Sequence, residues 1–180
     1  MALNLGDIAI VGYGADTSVK SFAFVVLTDV ASDEVVNFTD NGWLSAGGFR
    51  SGEGTVTSTI PAGTTAGTVI TVTGLTSTLN PSTSGDQIIA YQGSASSPNF
   101  LFAIDFADGN ATFAGDATNS NTSAVPTGLA FGTNALAFEL DNGAYTGSLS
   151  GSKAEILTNI ANAANWTLND SAGVTYPASF

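Results

Sequence analysis

The chain has 180 residues, of which 43% are hydrophobic and only 10% are charged. Fifteen acidic and three basic residues give a formal net charge of −12 at pH 7, which excludes nucleic-acid binding because phosphate neutralisation needs clustered Lys and Arg. Cysteine and histidine are both absent, so disulfides, thiolate or imidazole metal sites and a Ser-His-Asp triad are excluded as well.

Short runs of β-branched and aromatic residues alternate along the chain with clusters of Gly, Asn, Asp and Ser, a pattern typical of an antiparallel sandwich or barrel. The run Phe22–Leu27 is apolar on both faces and predicts a central strand. Thr55–Ile60 and Thr68–Thr73 mix hydroxyls with β-branched residues and predict strands that are half-exposed or near an edge. The predicted strands are Asp7–Tyr13, Ser21–Asp29, Val35–Thr39, Gly54–Ile60, Thr68–Thr73, Asp86–Gln92, Phe100–Phe106 and Ala135–Leu140.

The C-terminal part of the chain predicts one helix between Ser152 and Ala164. Ser152 and Glu155 have the spacing of a capping box, and the apolar residues that follow fall on one helical face. Asn165–Leu168 is expected to return as a final strand, and Gly109–Gly128 is expected to be a long loop. We therefore predict an all-β domain over residues 1–180, an antiparallel sandwich of about 8 to 10 strands with one short C-terminal helix. Its termini, 1–6 and 172–180, could donate strands to a neighbour.

The segment Phe38–Trp43 is the sharpest local motif, since it places a carboxylate, an amide and a glycine between two aromatics at a strand end. Asp40 and Asn41 could offer oxygen ligands to a cation, and Trp43 could offer a stacking face to a sugar. The structural alternative is that Asn41 and the following glycine form a tight turn and Trp43 anchors the core.

Acidic residues also gather in later loops, and they predict a calcium site because hard cations prefer carboxylate, amide and carbonyl oxygens. The residues predicted as calcium ligands are Asp40, Asn41, Asp105, Asp108, Asn110, Asp116 and Asp141. Asp7, Asp29 and Glu53 lie at other strand ends, where loops from different strands can converge. The spacing differs from that of an EF-hand, and plain Asp-Gly turns remain the structural alternative.

An enzymatic role is not expected. Paired carboxylates can hydrolyse a glycosidic bond, and Glu53 with Glu139 or Asp105 with Asp108 would be the candidate pairs. Such enzymes usually need an aromatic-lined groove, and this chain has only two tryptophans.

Several short motifs are spread over nearly the whole chain. They are Gly6–Tyr13, Phe22–Leu27, Phe38–Trp43, Glu53–Gly54, Ala66–Thr68, Gly85–Gly93, Asp141–Asn142, Tyr145 and Asn165–Trp166. Together these motifs resemble a poorly characterised module of bacterial cell-surface and secreted proteins. The module itself is distantly similar to the lamin-tail domain, so the resemblance implies an immunoglobulin-like sandwich and a place at the cell surface. In that family the module is commonly one part of larger adhesin-like or surface-enzyme chains.

We predict an extracellular structural protein, a self-assembling subunit of a surface layer (S-layer) or filament that is stabilised by calcium. Its partner would be itself, joined through threonine-rich edge strands or through the termini. The alternative is a carbohydrate-binding or adhesive module that stacks a surface polysaccharide on Trp43, Tyr91 or Tyr145. No run reaches the roughly 20 apolar residues of a transmembrane helix, so membrane insertion is not expected.

Overall fold

A computed structural model describes residues 2–75, 79–107 and 109–180, and it confirms an all-β sandwich with a short C-terminal helix. The strands are β1 (Ile8–Gly14), β2 (Ser21–Val26), β3 (Glu34–Thr39), β4 (Thr55–Ile60), β5 (Val69–Thr73), β6 (Asp86–Ser94), β7 (Ser97–Phe106), β8 (Ala135–Phe138), β9 (Asn142–Tyr145) and β10 (Trp166–Asn169). The helix α1 spans Lys153–Ile160 and is followed by a 3-10 turn at Ala163–Asn165.

The ten strands form two five-stranded sheets. The first sheet has the order β10-β9-β1-β2-β5, and the second has the order β4-β3-β6-β7-β8. Neighbouring strands are antiparallel except for β7 and β8, which are parallel. A parallel pair needs a long connection because the chain must return to the same end of the sheet, and the long segment between β7 and β8 supplies it.

The main core lies between the two sheets and is rich in aromatic rings. Phe38 of β3 packs against Phe22 and Phe24 of β2, with ring centroids 4.6 and 4.9 Å apart. Tyr13 of β1 stacks on Phe106 of β7 at 4.5 Å. β2 lies between β1 and β5 and is almost wholly buried, as its unbroken apolar run predicts.

A second apolar cluster covers the outer face of the second sheet. Ile88 belongs to the main core while Ile89 belongs to this second cluster, as the alternation of side chains along β6 requires. Trp43 packs edge-on against Phe49 and Phe100 here, at 5.1 and 4.8 Å. The segment between β7 and β8 therefore contributes to a core instead of forming a free surface loop, because Phe113, Ala124 and neighbouring residues are buried in the cluster.

The helix α1 begins with the predicted capping box, in which Glu155 N donates to the Ser152 side chain and Ser152 N donates to Glu155 Oε2 at 2.8 Å. Ile156 and Ile160 are its buried residues. Lys153 forms an ion pair with Asp7 beside the start of β1. No helix in the described residues is long and apolar enough to cross a membrane.

Both ends of the described chain pack on its own sheets. At the N-terminus, Leu3 N donates to Gln92 Oε1 of β6 at 2.7 Å. At the C-terminus, Tyr176 lies over Gly12 of β1, and Phe180 N donates to Gly67 O at 2.9 Å. The tail thus runs from the β10 edge of the first sheet across β1 to the β5 edge.

Candidate cation centre

Three carboxylates meet at one end of the second sheet. Asp40 follows β3, Glu53 precedes β4, and Asp86 is the first residue of β6. β3 lies between β4 and β6 and is antiparallel to both, so its end lies beside the start of each. Each of the three residues offers an oxygen, and these oxygens lie within 4.8 Å of one another. We call these three residues the carboxylate cluster.

Main-chain amides hold two of the three carboxylates in place. Asp40 accepts hydrogen bonds from Gly54 N at 2.6 Å and from Asn80 N at 2.9 Å, one on each carboxylate oxygen. Asp86 likewise accepts from Ser82 N and from its neighbour Gln87 N, both at 2.8 Å. The loops on either side of the cluster are therefore fastened to the carboxylates before any ligand binds.

Asn41, which was predicted to be a ligand, positions the third carboxylate. Its Oδ1 accepts from Glu53 N at 3.1 Å, and its Nδ2 donates to Gly54 O at 3.0 Å. Both ends of the amide are thus used to hold the segment before β4 against the end of β3. Asn41 therefore holds in place the segment that carries Glu53.

Burial makes the negative charge of the cluster costly. Burial raises the pKa of Asp86 to about 9, with the charges of Asp40 and Glu53 adding to the effect. Burial and the charge of Asp40 raise the pKa of Glu53 to about 7, although Arg50 Nη1 lies 3.6 Å from Glu53 Oε2 and opposes the rise. Burial also raises the pKa of Asp40 against the pull of its two amide donors. The three groups cannot all be ionised at neutral pH without a further positive charge.

Glu53 Oε2 is buried and accepts no hydrogen bond, although Arg50 Nη1 lies 3.6 Å from it. Gln87 is fully buried and turns the donor end of its amide towards the cluster, since its Nε2 donates to Asp40 O and lies 3.3 Å from Asp86 Oδ1. A buried oxygen without a donor is uncommon in proteins. Carboxylate and amide oxygens are the ligands that calcium prefers, and the residues present fit such an ion.

The predicted ligands in the segment after β7 do not join this cluster. Asp105 is opposite Gln87 in the register of β6 and β7, and it is not one of the acids whose oxygens meet in the cluster. Asp108 lies outside the described residues. Asn110 is exposed, and Asp116 accepts from Ser45 N and Ala117 N at 2.8 and 2.9 Å, so it joins its own segment to the segment between β3 and β4.

Asp141 lies at the first sheet, in a different acidic group. Asn142 Nδ2 donates to Asp141 Oδ1 at 3.1 Å and to Asp16 Oδ2 at 3.2 Å, so the amide bridges two carboxylates. Burial, followed by the charges of Asp16 and Asp170, raises the pKa of Asp141 to about 6. The predicted calcium ligands are thus distributed over separate parts of the domain.

The three aromatics predicted for sugar stacking are all buried. Trp43 is 7% exposed, Tyr91 is 4% exposed and Tyr145 is 1% exposed. Trp43 and Tyr91 lie in the second cluster, whereas Tyr145 lies in the main core and stacks on Phe180 at 5.5 Å. None of the three rings offers an open face to a sugar.

Sequence reasoning missed Asp86 and did not connect it with Asp40 and Glu53. Asp86 lies two residues before the apolar run Ile88–Tyr91 of β6. An acid so close to a run that is expected to be buried was the signal in the sequence that could have identified it. Each member of the cluster lies in a motif by which the chain resembles the bacterial module. Which motifs meet depends on the strand order, which no single motif encodes.

Neither protein-family models, nor curated proteins, nor solved structures gave a match to this chain. The resemblance to a bacterial surface module therefore stays a prediction from the sequence motifs. Function is inferred below from the carboxylate cluster and from the edges of the sheets.

Proposed function

We propose that this chain is an extracellular structural protein, a calcium-stabilised subunit of a surface layer or filament that assembles with copies of itself. The observation that carries the proposal is the cluster of Asp40, Glu53 and Asp86. Arg50 is paired with only one of these three acids, and the two buried acids that remain, Asp40 and Asp86, destabilise a fold when they are ionised. A bound divalent cation would turn the same group into a cross-link between three strands.

An extracellular place suits such a centre. A cation must compete with protons for Asp86 and Glu53, whose pKa values are raised, and this competition weakens binding at neutral pH. Extracellular calcium modules typically bind with dissociation constants on the order of 0.1 to 1 mM. A centre of that strength is filled where calcium is millimolar and empty at the much lower levels of a cytosol.

Assembly is supported by the combination of charge and edges. At a net charge of −12, copies of the chain repel one another, and bound cations reduce that repulsion. The second sheet ends in β4, whose outer edge has no partner strand among the described residues. The carbohydrate-binding alternative gains no comparable support, because the rings that would stack on a sugar are buried.

Calcium binding can be tested with Glu53→Gln, since the Glu53 side chain makes no hydrogen bond that holds the main chain among those described. We expect isothermal titration with calcium to show one site in the wild-type protein and an affinity at least tenfold weaker in E53Q. Glu139→Gln is the matched control because it removes the same charge from an exposed residue outside the cluster. Equal affinities in all three proteins would overturn the calcium centre.

Assembly is tested by negative-stain electron microscopy and light scattering of the wild-type protein with millimolar calcium, and again after a chelator is added. Ordered sheets or fibres that dissolve on chelation are expected. A monodisperse monomer under every condition would overturn the structural role and would make glycan-array binding the next test.

A further inference from the structure

We propose that the outer edge of β4 is the surface through which two copies of this chain join, as an antiparallel β4–β4 pair about a two-fold axis at Thr57. This inference rests on the proposed function, because it names the contact that self-assembly would use. The joined second sheets would form one continuous sheet across both copies.

The four edges of the two sheets differ in how open they are. β8 and β10 are edge strands of four residues each, and the chain before β8 bridges back to it at Phe131 and Ala135. The β5 edge is met by the C-terminal tail, where Ser179 bridges Thr68. β4 has six residues, and within the described residues nothing pairs with its outer edge.

β4 also lacks the features by which edge strands usually avoid pairing. Its sequence, TVTSTI, has no charged residue and no proline. Its register with β3 runs from Glu34 opposite Ile60 to Thr39 opposite Thr55 without a bulge. Natural edge strands are normally protected by charge, proline, a bulge or a cover, so an edge with none of these is open to a further strand.

A second copy is the occupant that the charge and the sequence favour. The chain carries −12, so a partner must approach where acids are absent, and β4 is an uncharged stretch of the surface. An antiparallel pair centred on Thr57 places Thr55 opposite Thr59 of the second copy and Thr57 opposite itself. These three threonines are exposed on one face of the strand, and cross-strand threonine pairs stabilise sheets.

The carboxylate cluster controls the start of this edge. Gly54 directly precedes β4, its N–H donates to Asp40 at 2.6 Å, and its carbonyl accepts from Asn41 at 3.0 Å. A cation held by Asp40 and Glu53 would fix the chain at the point where β4 begins. Without the cation, the start of β4 is held by these hydrogen bonds alone, beside carboxylates that repel each other, so pairing should weaken in chelator.

The first test places a charge on the edge. Thr57→Lys should lower the mass measured by light scattering in calcium at least twofold, because every β4–β4 pair is lost and only other contacts between copies remain. Thr71→Lys is the matched control, since Thr71 is also an exposed threonine of an edge strand and the substitution adds the same charge to the first sheet. If T57K assembles as the wild type does, the β4 contact is wrong while self-assembly stands.

The second test uses the absence of cysteine. Thr57→Cys introduces a single thiol, and two such thiols face each other across the proposed axis. We expect a short thiol-specific crosslinker to join T57C into a covalent dimer in calcium, as seen on a denaturing gel, with at least a tenfold loss of that dimer after chelation. Thr71→Cys should assemble in calcium but should run as uncrosslinked chains on the same gel. Assembly of T57C without crosslinking would overturn the β4 contact. A wild-type protein that never assembles would overturn the contact together with the structural role.

Discussion

Asp86 is the cluster residue whose charge the fold opposes most strongly. The residue is 2% exposed, and it faces the charges of Asp40 and Glu53. Its two hydrogen bonds from main-chain amides lower the pKa of the carboxyl group, but burial outweighs them and raises that pKa to about 9. Without a cation, Asp86 therefore carries a proton at neutral pH, and this proton makes the stability of the domain depend on pH.

The direction of that dependence follows from the two pKa values. The Asp86 carboxyl has a pKa of about 9 in the folded protein and an ordinary value of 3.8, so between these values the folded state holds a proton that the unfolded chain has lost. Its contribution to stability is present below about pH 4 and is lost as the pH rises towards about 9. With a chelator present, we expect the free energy of unfolding, measured by urea denaturation, to decrease as the pH is raised from about 5 to about 9. In Asp86→Asn this decrease should be smaller, because the residue no longer titrates.

The slope is the measured quantity, because D86N also loses one acceptor for a main-chain amide and changes the absolute stability. Glu139→Gln should keep the wild-type slope. Calcium should stabilise the wild-type protein more at pH 8 than at pH 5, since the ion must displace the protons. A slope that D86N leaves unchanged would mean that Asp86 does not hold the proton.

At the scale of single residues, the sequence predicted one of the three cluster acids as a ligand. Asp40 stood out because an amide and a glycine follow it between two aromatics. Glu53 was noted as an acid at a strand end and as a member of a possible catalytic pair with Glu139, but not as a ligand. Asp86 looked like the ordinary start of a strand. The cluster depends on β3 lying between β4 and β6, and that order is decided by packing far from these residues.

At the scale of elements, local patterns predicted most strands and the helix. The alternation of apolar residues and the capping box are local signals, and the structure agrees with both. β9 was missed because it begins with Asn142 and Gly143, which are typical of turns. Gly143 is nevertheless needed there, since a Cβ atom would lie 2.5 Å from Cε1 of Tyr13.

The C-terminal tail depends on a glycine in β1. A Cβ atom on Gly12 would lie 2.2 Å from Cδ1 of Tyr176, so only glycine lets the ring pack on the strand. We expect Gly12→Ala to lower the free energy of unfolding by about 1 to 3 kcal/mol and to expose the tail to proteases. Urea unfolding and limited proteolysis measure the two effects.

Gly115→Ala is the control for this substitution, because a Cβ atom there would meet nothing within 4 Å. Its effect should stay within about 0.5 kcal/mol. If G12A is as stable as the wild-type protein and its tail is cleaved no faster, the packing of Tyr176 contributes nothing to the fold.

At the scale of the whole molecule, a single two-fold contact can join only two copies, because both copies use the same surface and none of it stays free for a third. A layer or filament needs a second, different contact that repeats the dimer in space. The dimer is then the building unit, and the remaining surface of each copy, with its excess of acids, must supply the second contact. At this scale, the excess of acids in the composition was enough to predict that cations would be needed. The position of the open β4 edge could not be predicted in the same way, because it depends on the order of the strands in the second sheet.

Cations can stabilise this protein in two ways, by screening the repulsion that its net charge of −12 causes and by binding at the carboxylate cluster, and the two effects can be measured separately. Sodium chloride screens exposed charges over a Debye length of about 8 Å at 0.15 M, whereas a buried centre is screened much less. We expect about 0.15 M sodium chloride to stabilise the wild-type protein and E53Q by similar amounts in chelator, because their surfaces carry nearly the same charge. Calcium in the same salt should then stabilise the wild-type protein further, by about 2.7 kcal/mol at a hundred times its dissociation constant, and E53Q by much less.

Magnesium at the same concentration supplies the same ionic strength and serves as the control. It requires near-octahedral geometry and loses its water reluctantly, so a centre of three converging carboxylates should prefer calcium. Thermal and urea unfolding of both proteins in both ions measure the difference. If calcium and magnesium stabilise the wild-type protein and E53Q by equal amounts, divalent cations act only on the surface charge, and the carboxylate cluster is a group of protonated acids rather than a metal centre.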